Sequence, residues 1–169
     1  MDATELRAMQ APIKDRYKSD PGAALITLKA KGSLDDQNIA CKVETGRALA
    51  VAGLHPATGG SGMELCSGDM LLEALVACAG VTLKAVSTAL AIPLKSGTVS
   101  AEGDLDFRGT LGVDKEAPVG FAEIRLRFEV ATDAPQDKLD LLLKLTERYC
   151  VVYQTIKNGP KVSVSMKRV

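Results

Sequence analysis

A thiol lies at the centre of the most apolar stretch of the chain, LLEALVACAGVTL (residues 71–83), where Cys78 stands among leucine, valine and alanine. A second thiol, Cys150, follows 72 residues later. A buried cysteine is most often a small packing residue. Two thiols that meet in space can instead perform redox chemistry, because a sulfenic acid formed on one condenses with the other to a disulfide. The elements that carry these two residues therefore decide between packing and chemistry.

The spacing of the cysteines excludes two common alternatives. They stand at positions 41, 66, 78 and 150, so the chain has neither a CxxC redox motif nor zinc-ribbon spacing. Cys41 falls in a predicted strand and is interpreted as structural. Cys66 precedes Cys78 by twelve residues, about 18 Å along a straight helix, so one partner thiol is not expected to serve both. We interpret Cys66 as an ordinary loop thiol.

Two predicted helices carry the two central thiols. The first begins after Ser67, a good capping residue, and ends at Ile92, because a proline follows and excludes helical geometry from the residue before it. The second is opened by Asp133 and Pro135. Its apolar stripe, extended by four residues, predicts that Cys150 faces the core. The stripe consists of Leu139, Leu142, Leu143 and Thr146.

Alternation of apolar and polar residues predicts antiparallel sheets with one wet face. With the two helices, this indicates an α+β fold. A helical segment over 3–18, interrupted by Pro12, comes first, as one short helix or two pieces on the surface or on a partner subunit. The predicted strands span 23–30, 39–44, a short stretch to about Ala52, 97–107, 121–130 and 162–166.

A glycine-rich loop, residues 55–69, precedes the helix of Cys78. Its composition predicts that its backbone passes close to another part of the protein. It holds the single histidine, His55, which is either a base or a solvated loop residue, and we favour the second. One imidazole and scattered thiols do not make a metal site.

Charge and composition bear on partners and compartment. Lysine plus arginine equals aspartate plus glutamate, 21 against 21, so no net field favours nucleic acid or an anionic membrane. Residues 1–22 lack the apolar core of a secretory signal, and Glu73 and Lys84 interrupt the apolar region 70–92. We therefore expect a cytoplasmic protein with an N-terminal helical extension over 1–22 and a single domain over 23–169.

Two segments around these thiols resemble those of a known family. The stretch GGSGMELCSGDMLLEALVACAGVTLKAVSTALAIPL is similar to the signature of the OsmC/Ohr family, the osmotically induced and organic hydroperoxide resistance proteins. The stretch RYCVVYQTIKNG resembles the family's second cysteine segment. The resemblance covers roughly residues 23–169. It implies an intertwined homodimer in which antiparallel sheets pack around two central helices.

The resemblance also implies an activity. Family members of the peroxidase type use the first cysteine as the nucleophile on an organic hydroperoxide and the second to resolve the sulfenic acid. Carried over, Cys78 is the peroxidatic residue and Cys150 the resolving one, and an external dithiol recycles the disulfide. No metal, flavin or haem is implied, because the nucleophile is a side chain.

A charged pair is expected beside the nucleophile, because apolar burial raises the pKa of a thiol. In the family, an arginine held by a glutamate ten positions before the first cysteine supplies the cation. That position is Gly68 here. Asp69 or Glu64 is the candidate substitute for the acid. For the arginine, Arg47 is the first candidate and Arg16 the second.

The missing glutamate keeps a second hypothesis open. A non-catalytic dimer of the same fold would bind a hydrophobic small molecule between the helices. Thiol titration separates the two hypotheses, because only a catalytic Cys78 reacts with an alkyl hydroperoxide at neutral pH and pairs with Cys150.

Overall fold

A computed structural model describes residues 3–34, 41–43, 53–63 and 66–168 of the 169-residue chain. Helices and strands follow one another along the chain, and the strands form an antiparallel sheet. This confirms the predicted α+β class. The helices are α1 (Ala3–Ser19), α2 (Ser67–Ala89), α3 (Phe107–Thr110), α4 (Gln136–Tyr149) and α5 (Val151–Asn158); the strands are β1 (Leu25–Leu34), β2 (Cys41–Val43), β3 (Ser96–Asp106) and β4 (Phe121–Ala131); 3₁₀ turns span Pro21–Ala24 and Pro56–Thr58.

The described strands form one four-stranded antiparallel sheet in the order β2-β1-β3-β4. Its inner face follows the alternation of the sequence, with Val99 and Ala101 fully buried and Phe128 packed against the same core. The outer face carries charges that pair across the strands, and Arg125 donates two hydrogen bonds to Asp104, at 2.6 and 2.9 Å. The predicted wet face is thus an ion-paired surface.

Gly103 lies next to an irregularity in the pairing of β3 with β4. The register between β3 and β4 shifts after Asp104, so that Leu105 pairs with Phe121 and one residue bulges. The Phe121 ring lies over Gly103, where an added Cβ would meet ring carbons at 2.5 Å. A side chain at this position would displace the aromatic ring.

Helix α2 forms the centre of the core. Its buried side chains pack against the sheet, α4 and α5, and they include Leu72, Leu75, Val76, Ala79, Leu83 and Val86. By length and by a mean hydropathy of 1.7, α2 would also qualify as a membrane span. In the structure, however, one side of α2 packs against the sheet, α4 and α5, as a helix in the core of a globular domain does. The opposite side is not fully covered, because Leu71 and Val81 remain exposed.

Both predicted ends of α2 need correction. Its N-cap residue is Cys66 rather than Ser67, and it makes no side-chain capping hydrogen bond. The helix stops at Ala89, three residues before the predicted end. Ile92 N–H donates to the Ser87 carbonyl at 2.8 Å, and Ala91 adopts φ +51°. This is a Schellman closure with alanine at the position that glycine normally occupies.

The second helical region also differs from its prediction. Asp133 does not cap it, because its carboxylate pairs with Lys95 at 2.6 Å and the N-cap position is Pro135. Leu142 is buried as predicted, whereas Leu143 is 44% exposed. Neighbouring helical residues point about 100° apart, and the core here lies on the side of Leu142 and Thr146, so Leu143 is at the edge of the stripe.

Helix α1 is continuous from Ala3 to Ser19, with Pro12 inside it. Its last turn packs on its own chain through Tyr17, which is fully buried with Phe107 and Leu111. The Tyr17 hydroxyl donates to the Ala57 carbonyl at 2.8 Å. The carboxyl end of α1 is therefore anchored to the loop that precedes α2.

The predicted last strand, 162–166, is absent. These residues have no regular secondary structure, and Val162, Val164 and Met166 are 81%, 93% and 99% exposed. Alternation alone does not make a strand, because the backbone also needs a partner edge. The strand predicted to end near Ala52 lies outside the described residues.

The prediction for the loop of residues 55–69 is confirmed at one point. Gly60 approaches Leu54 so closely that an added Cβ would overlap the Leu54 carbonyl group. Only glycine, which has no Cβ, fits where these two backbone segments approach each other.

Candidate active site

Cys78 lies in the middle of α2 and is partly buried, packed against the hydrophobic core. It is far enough from the helix ends that neighbouring turns fix its direction. Leu75, one turn earlier, is buried. Cys78 therefore stands at the boundary between the core and a more accessible surface.

Cys150 lies between α4 and α5 and is 1% exposed. Its N–H donates to the Thr146 carbonyl at 3.0 Å, and its carbonyl accepts from Gln154 N–H at 2.9 Å. Its ψ of 106° interrupts the helix between these two bonds. The inward direction predicted for Cys150 is correct, but the helical region is broken there rather than continuous.

The structure brings the two thiols together. Cys78 and Cys150 pack against the same hydrophobic core, and they lie close enough for the Cys78 thiol to influence the pKa of Cys150. Burial raises the pKa of Cys150 to about 11, and the Cys78 thiol adds to this rise. Backbone N–H groups of Val152 and Tyr153 oppose it, without forming a capping hydrogen bond. At neutral pH, Cys150 is therefore a protonated thiol.

Asp69 occupies a different environment, in the first turn of α2. Burial raises its pKa, and the nearby imidazole of His55 partly lowers it. Glu73, one turn later, also has a raised pKa, from burial and from the Asp69 carboxylate. Asp69 precedes Cys78 by nine residues, which is about 13.5 Å of helix and half a revolution. These interactions of Asp69 lie at the amino end of α2, away from the thiols.

His55 is more ordered than predicted for a solvated loop residue. Its ring stacks on Phe107, with centroids 4.9 Å apart, and its Nδ1 accepts from Ala57 N–H at 3.0 Å. Burial lowers its pKa, although Asp69 raises it in part. The sequence signal for this role is its position before Pro56, where it caps a 3₁₀ turn.

A cavity of about 430 Å³ opens beside His55 and the amino end of α2. Its wall is mainly apolar, and it includes Gly68, the position of the family glutamate. The other lining residues include Leu54, Cys66, Leu71, Leu105, Phe107, Val119 and Phe121. Its size is in the range of small-molecule sites.

The remaining predicted site residues are distributed as follows. Arg47 and Glu64 lie outside the described residues. Arg16 lies at the end of α1 with its guanidinium 5.1 Å from the Tyr17 ring. Cys66 lines the cavity, and Cys41 begins β2. Within the described ranges, no group of three or more His, Cys, Asp or Glu side chains is arranged to hold a metal ion.

The profile of the OsmC-like protein family matches residues 59–165, which includes both thiols. The chain belongs to the OsmC-like family. The match spans α2, the β3–β4 pair and both helices around Cys150, which are the elements that bring the sulfurs together. The family prediction made from the two cysteine segments is therefore confirmed.

A solved structure supports the OsmC-like fold. The chain is similar to an OsmC-like hydroperoxide resistance protein from Jannaschia sp. CCS1, with a TM-score of 0.63 and 11% sequence identity. The similarity covers 86% of this chain and 95% of that one. At this identity the comparison establishes the fold alone. Among curated proteins, none matches this chain.

Proposed function

We propose that this OsmC-like protein is a thiol-dependent peroxidase that reduces organic hydroperoxides. The observation that carries the proposal is the proximity of Cys78 to Cys150, which pack against the same core and lie near enough for the Cys78 thiol to raise the pKa of Cys150. In the first step the Cys78 thiolate attacks the distal oxygen of ROOH, the O–O bond breaks, and a proton from solvent completes the alcohol ROH. Cys78 becomes a sulfenic acid.

The second step joins the two sulfurs. The Cys150 thiol attacks the sulfenic sulfur, the S–O bond breaks, and water leaves with the Cys150 proton. An external dithiol then reduces the disulfide and is itself oxidised to a disulfide. The assignment of roles is supported by exposure, because Cys78 is partly accessible and Cys150 is buried. The raised pKa of Cys150 also favours its staying protonated until the sulfenic acid forms.

The surroundings of the thiols favour an alkyl hydroperoxide over hydrogen peroxide. A cavity of about 280 Å³ lies near the thiols, between α2, β4 and α5, although neither thiol lines it. Its wall is mainly apolar, although Glu123 and Lys157 also line it, and the apolar residues include Leu75, Phe121, Ile124, Tyr153 and Ile156. Leu75 stands one turn before Cys78, and Tyr153 one turn after Cys150. Such a wall favours an apolar substituent on the peroxide.

The charged partners of the thiolate remain part of the proposal. We assign Arg47 as the cation and Asp69 as the acid that orients it, following the family pattern with the acid moved by one position. Free thiols at Cys66, Cys78 and Cys150 suit a reducing compartment, and we propose a cytoplasmic location.

We further propose that the protein acts as a homodimer. The exposed apolar residues Leu71 and Val81 on α2 and the exposed alternating segment 162–166 would be covered by a second copy. Sedimentation should give twice the chain mass of 17.8 kDa. A purely monomeric protein at micromolar concentration would contradict this part of the proposal.

The peroxidase is tested by intact mass after one equivalent of cumene hydroperoxide. The wild-type protein should lose two hydrogens as the disulfide forms and regain them with dithiothreitol. The Cys78→Ser variant should show no change and no turnover. Undiminished turnover in this variant would refute the mechanism.

A second candidate is a non-catalytic OsmC-fold dimer that binds a hydrophobic small molecule. It is favoured by Gly68 in place of the family glutamate and by the largely apolar cavity of about 430 Å³ at the same position. Binding of an environment-sensitive apolar dye without any thiol oxidation by cumene hydroperoxide would support it over the peroxidase.

A further inference from the structure

Cys150 interrupts the helical region, so its sulfur depends on two helices at once. The Cys150 N–H donates the last backbone hydrogen bond of α4, and the Cys150 carbonyl accepts the first backbone hydrogen bond of α5. The extended ψ of 106° between them allows the two helices to meet at an angle. The direction of the Cys150 side chain is therefore tied to the angle between α4 and α5.

One side chain bridges this junction. Gln154 Nε2, on α5, donates to the Glu147 carbonyl in the last turn of α4 at 2.7 Å. Carbonyls in the last turn of a helix lack partners within the helix, so this bond satisfies a group that the break leaves open. The Gln154 amide is also oriented, because its Oε1 accepts from Asn158 Nδ2 at 2.9 Å. The amide thus presents its NH₂ group, not its oxygen, to Glu147.

Helix α5 has few other ways to hold this angle. It is eight residues long, shorter than a helix that is stable by itself. Val152, Tyr153 and Ile156 pack on the core, but none of them is fully buried. Apolar contacts are not directional. The hydrogen bond from Gln154 supplies a directional constraint across the break.

We propose that Gln154 is a positioning residue that aims the Cys150 sulfur at Cys78 and thereby sets how readily the disulfide closes. Disulfides require narrow ranges of Cα separation and torsion angle, so a change in the α4–α5 angle moves the pair away from closure. The biological meaning of this role rests on the proposed peroxidase. Gln154 does not line the cavity between α2, β4 and α5, so the first step on Cys78 should depend on it much less than closure of the disulfide does.

The role has a consequence for overoxidation. A sulfenic acid that is not captured by Cys150 can react with a second ROOH, which transfers one oxygen and leaves as ROH, and the product is a sulfinic acid. Closure of the disulfide competes with this reaction. Weakening the Gln154 bridge should therefore shift Cys78 from the disulfide to the sulfinic acid.

The first test measures closure without any peroxide. In a glutathione buffer the protein dithiol reacts with oxidised glutathione to give the protein disulfide and two reduced glutathiones. Gln154→Met keeps the length of the side chain but removes the donor, and it should lower the closure constant about tenfold, the scale of a modest misplacement. Gln154→Lys keeps a donor of similar reach and should recover part of the loss.

Asn158→Ala is the matched control at the same junction. It removes the hydrogen bond that orients the Gln154 amide but leaves the Gln154 donor itself, so its closure constant should lie between those of wild type and Gln154→Met. A closure constant for Gln154→Met equal to that of wild type would overturn the proposal. So would an equal loss in Gln154→Met, Gln154→Lys and Asn158→Ala, because it would indicate general loosening of α5.

The second test uses cumene hydroperoxide and mass spectrometry. The rate of sulfenic acid formation, trapped with dimedone in a Cys150→Ser background, should change much less with Gln154→Met than the closure constant does. With Cys150 present, Gln154→Met should raise the sulfinic fraction several-fold. If wild type forms no sulfenic acid, the peroxidase fails while the glutathione test still decides the role of Gln154.

Discussion

The middle of α2, where Cys78 meets Cys150, and its amino end, where Asp69 faces His55, are built from different interactions. At the middle, helix packing brings two thiols together in the core. At the amino end, titratable groups with shifted pKa values lie beside an open cavity. The comparison teaches that the thiol pair is positioned by side-chain packing, whereas the pKa shifts at the amino end arise from burial and neighbouring charges.

The largest expected effect is on the yield of the internal disulfide, which should depend on Cys150 in the middle region and not on Cys66 at the amino end. Cys150→Ser should abolish the internal disulfide completely, because the partner of Cys78 is lost. Cys66→Ser, at the amino end, should leave the disulfide yield within twofold of wild type. Non-reducing peptide mapping after oxidation measures both. A disulfide between Cys66 and Cys78 in the wild-type protein would break the comparison.

A second test asks whether the amino end acts on the thiol. If Asp69 orients Arg47 as proposed, Asp69→Asn should slow alkylation of Cys78 by iodoacetamide at pH 7 about tenfold, corresponding to about 1.4 kcal/mol. Glu73→Gln is the matched control on the same helix and should leave the rate near wild type. An unchanged rate in Asp69→Asn would confine Asp69 to its interaction with His55.

The pH dependence of the free energy of unfolding should reveal the lowered pKa of His55 beside the amino end of α2. The folded-state pKa of His55 lies below its ordinary value of 6.5, so the unfolded chain binds the extra proton more readily. His55 therefore contributes stability above pH 6.5 that is lost as the pH falls below it. His55→Asn retains an oxygen acceptor for the Ala57 N–H and should flatten this part of the profile. Urea unfolding between pH 5 and 8 measures it, and identical profiles for both proteins would contradict the assignment.

The smallest expected effect concerns the carboxyl end of α2, which contacts neither region. Ala91 holds φ +51°, which disfavours residues with a Cβ. Ala91→Gly should relieve this strain and raise the free energy of unfolding by about 0.5–1 kcal/mol. Thiol reactivity should not change. Thermal unfolding together with alkylation of Cys78 checks both, and a destabilised variant would refute the strain.

Much of the fold could be predicted from local patterns, and the failures have physical causes. The strands β3 and β4 and the buried face of α2 follow from residue periodicity. The segment 162–166 has the same periodicity but is not a strand, because an edge to pair with is not a local property. Helix α2 ends earlier than predicted, because Ala91 adopts a left-handed backbone conformation that residues with a Cβ disfavour.

The candidate site divides in the same way. The inward direction of Cys150 followed from helical spacing, but the break at Cys150 did not, because no proline or glycine marks it. The packing of the His55 ring was not predicted, because its stacking partner Phe107 lies 52 positions away in the sequence.

By itself, the sequence determined that Cys78 lies within a long apolar helix, that Cys150 faces the core and that the chain is OsmC-like, because helical spacing and the cysteine segments are local properties. Only the tertiary structure decided that Cys78 and Cys150 lie close together in one core and that Gln154 spans the junction beside Cys150. A contact between residues 72 positions apart depends on the angle at which α2 and α4 pack. That angle is set by the combined shape of many side chains, and no short pattern encodes it.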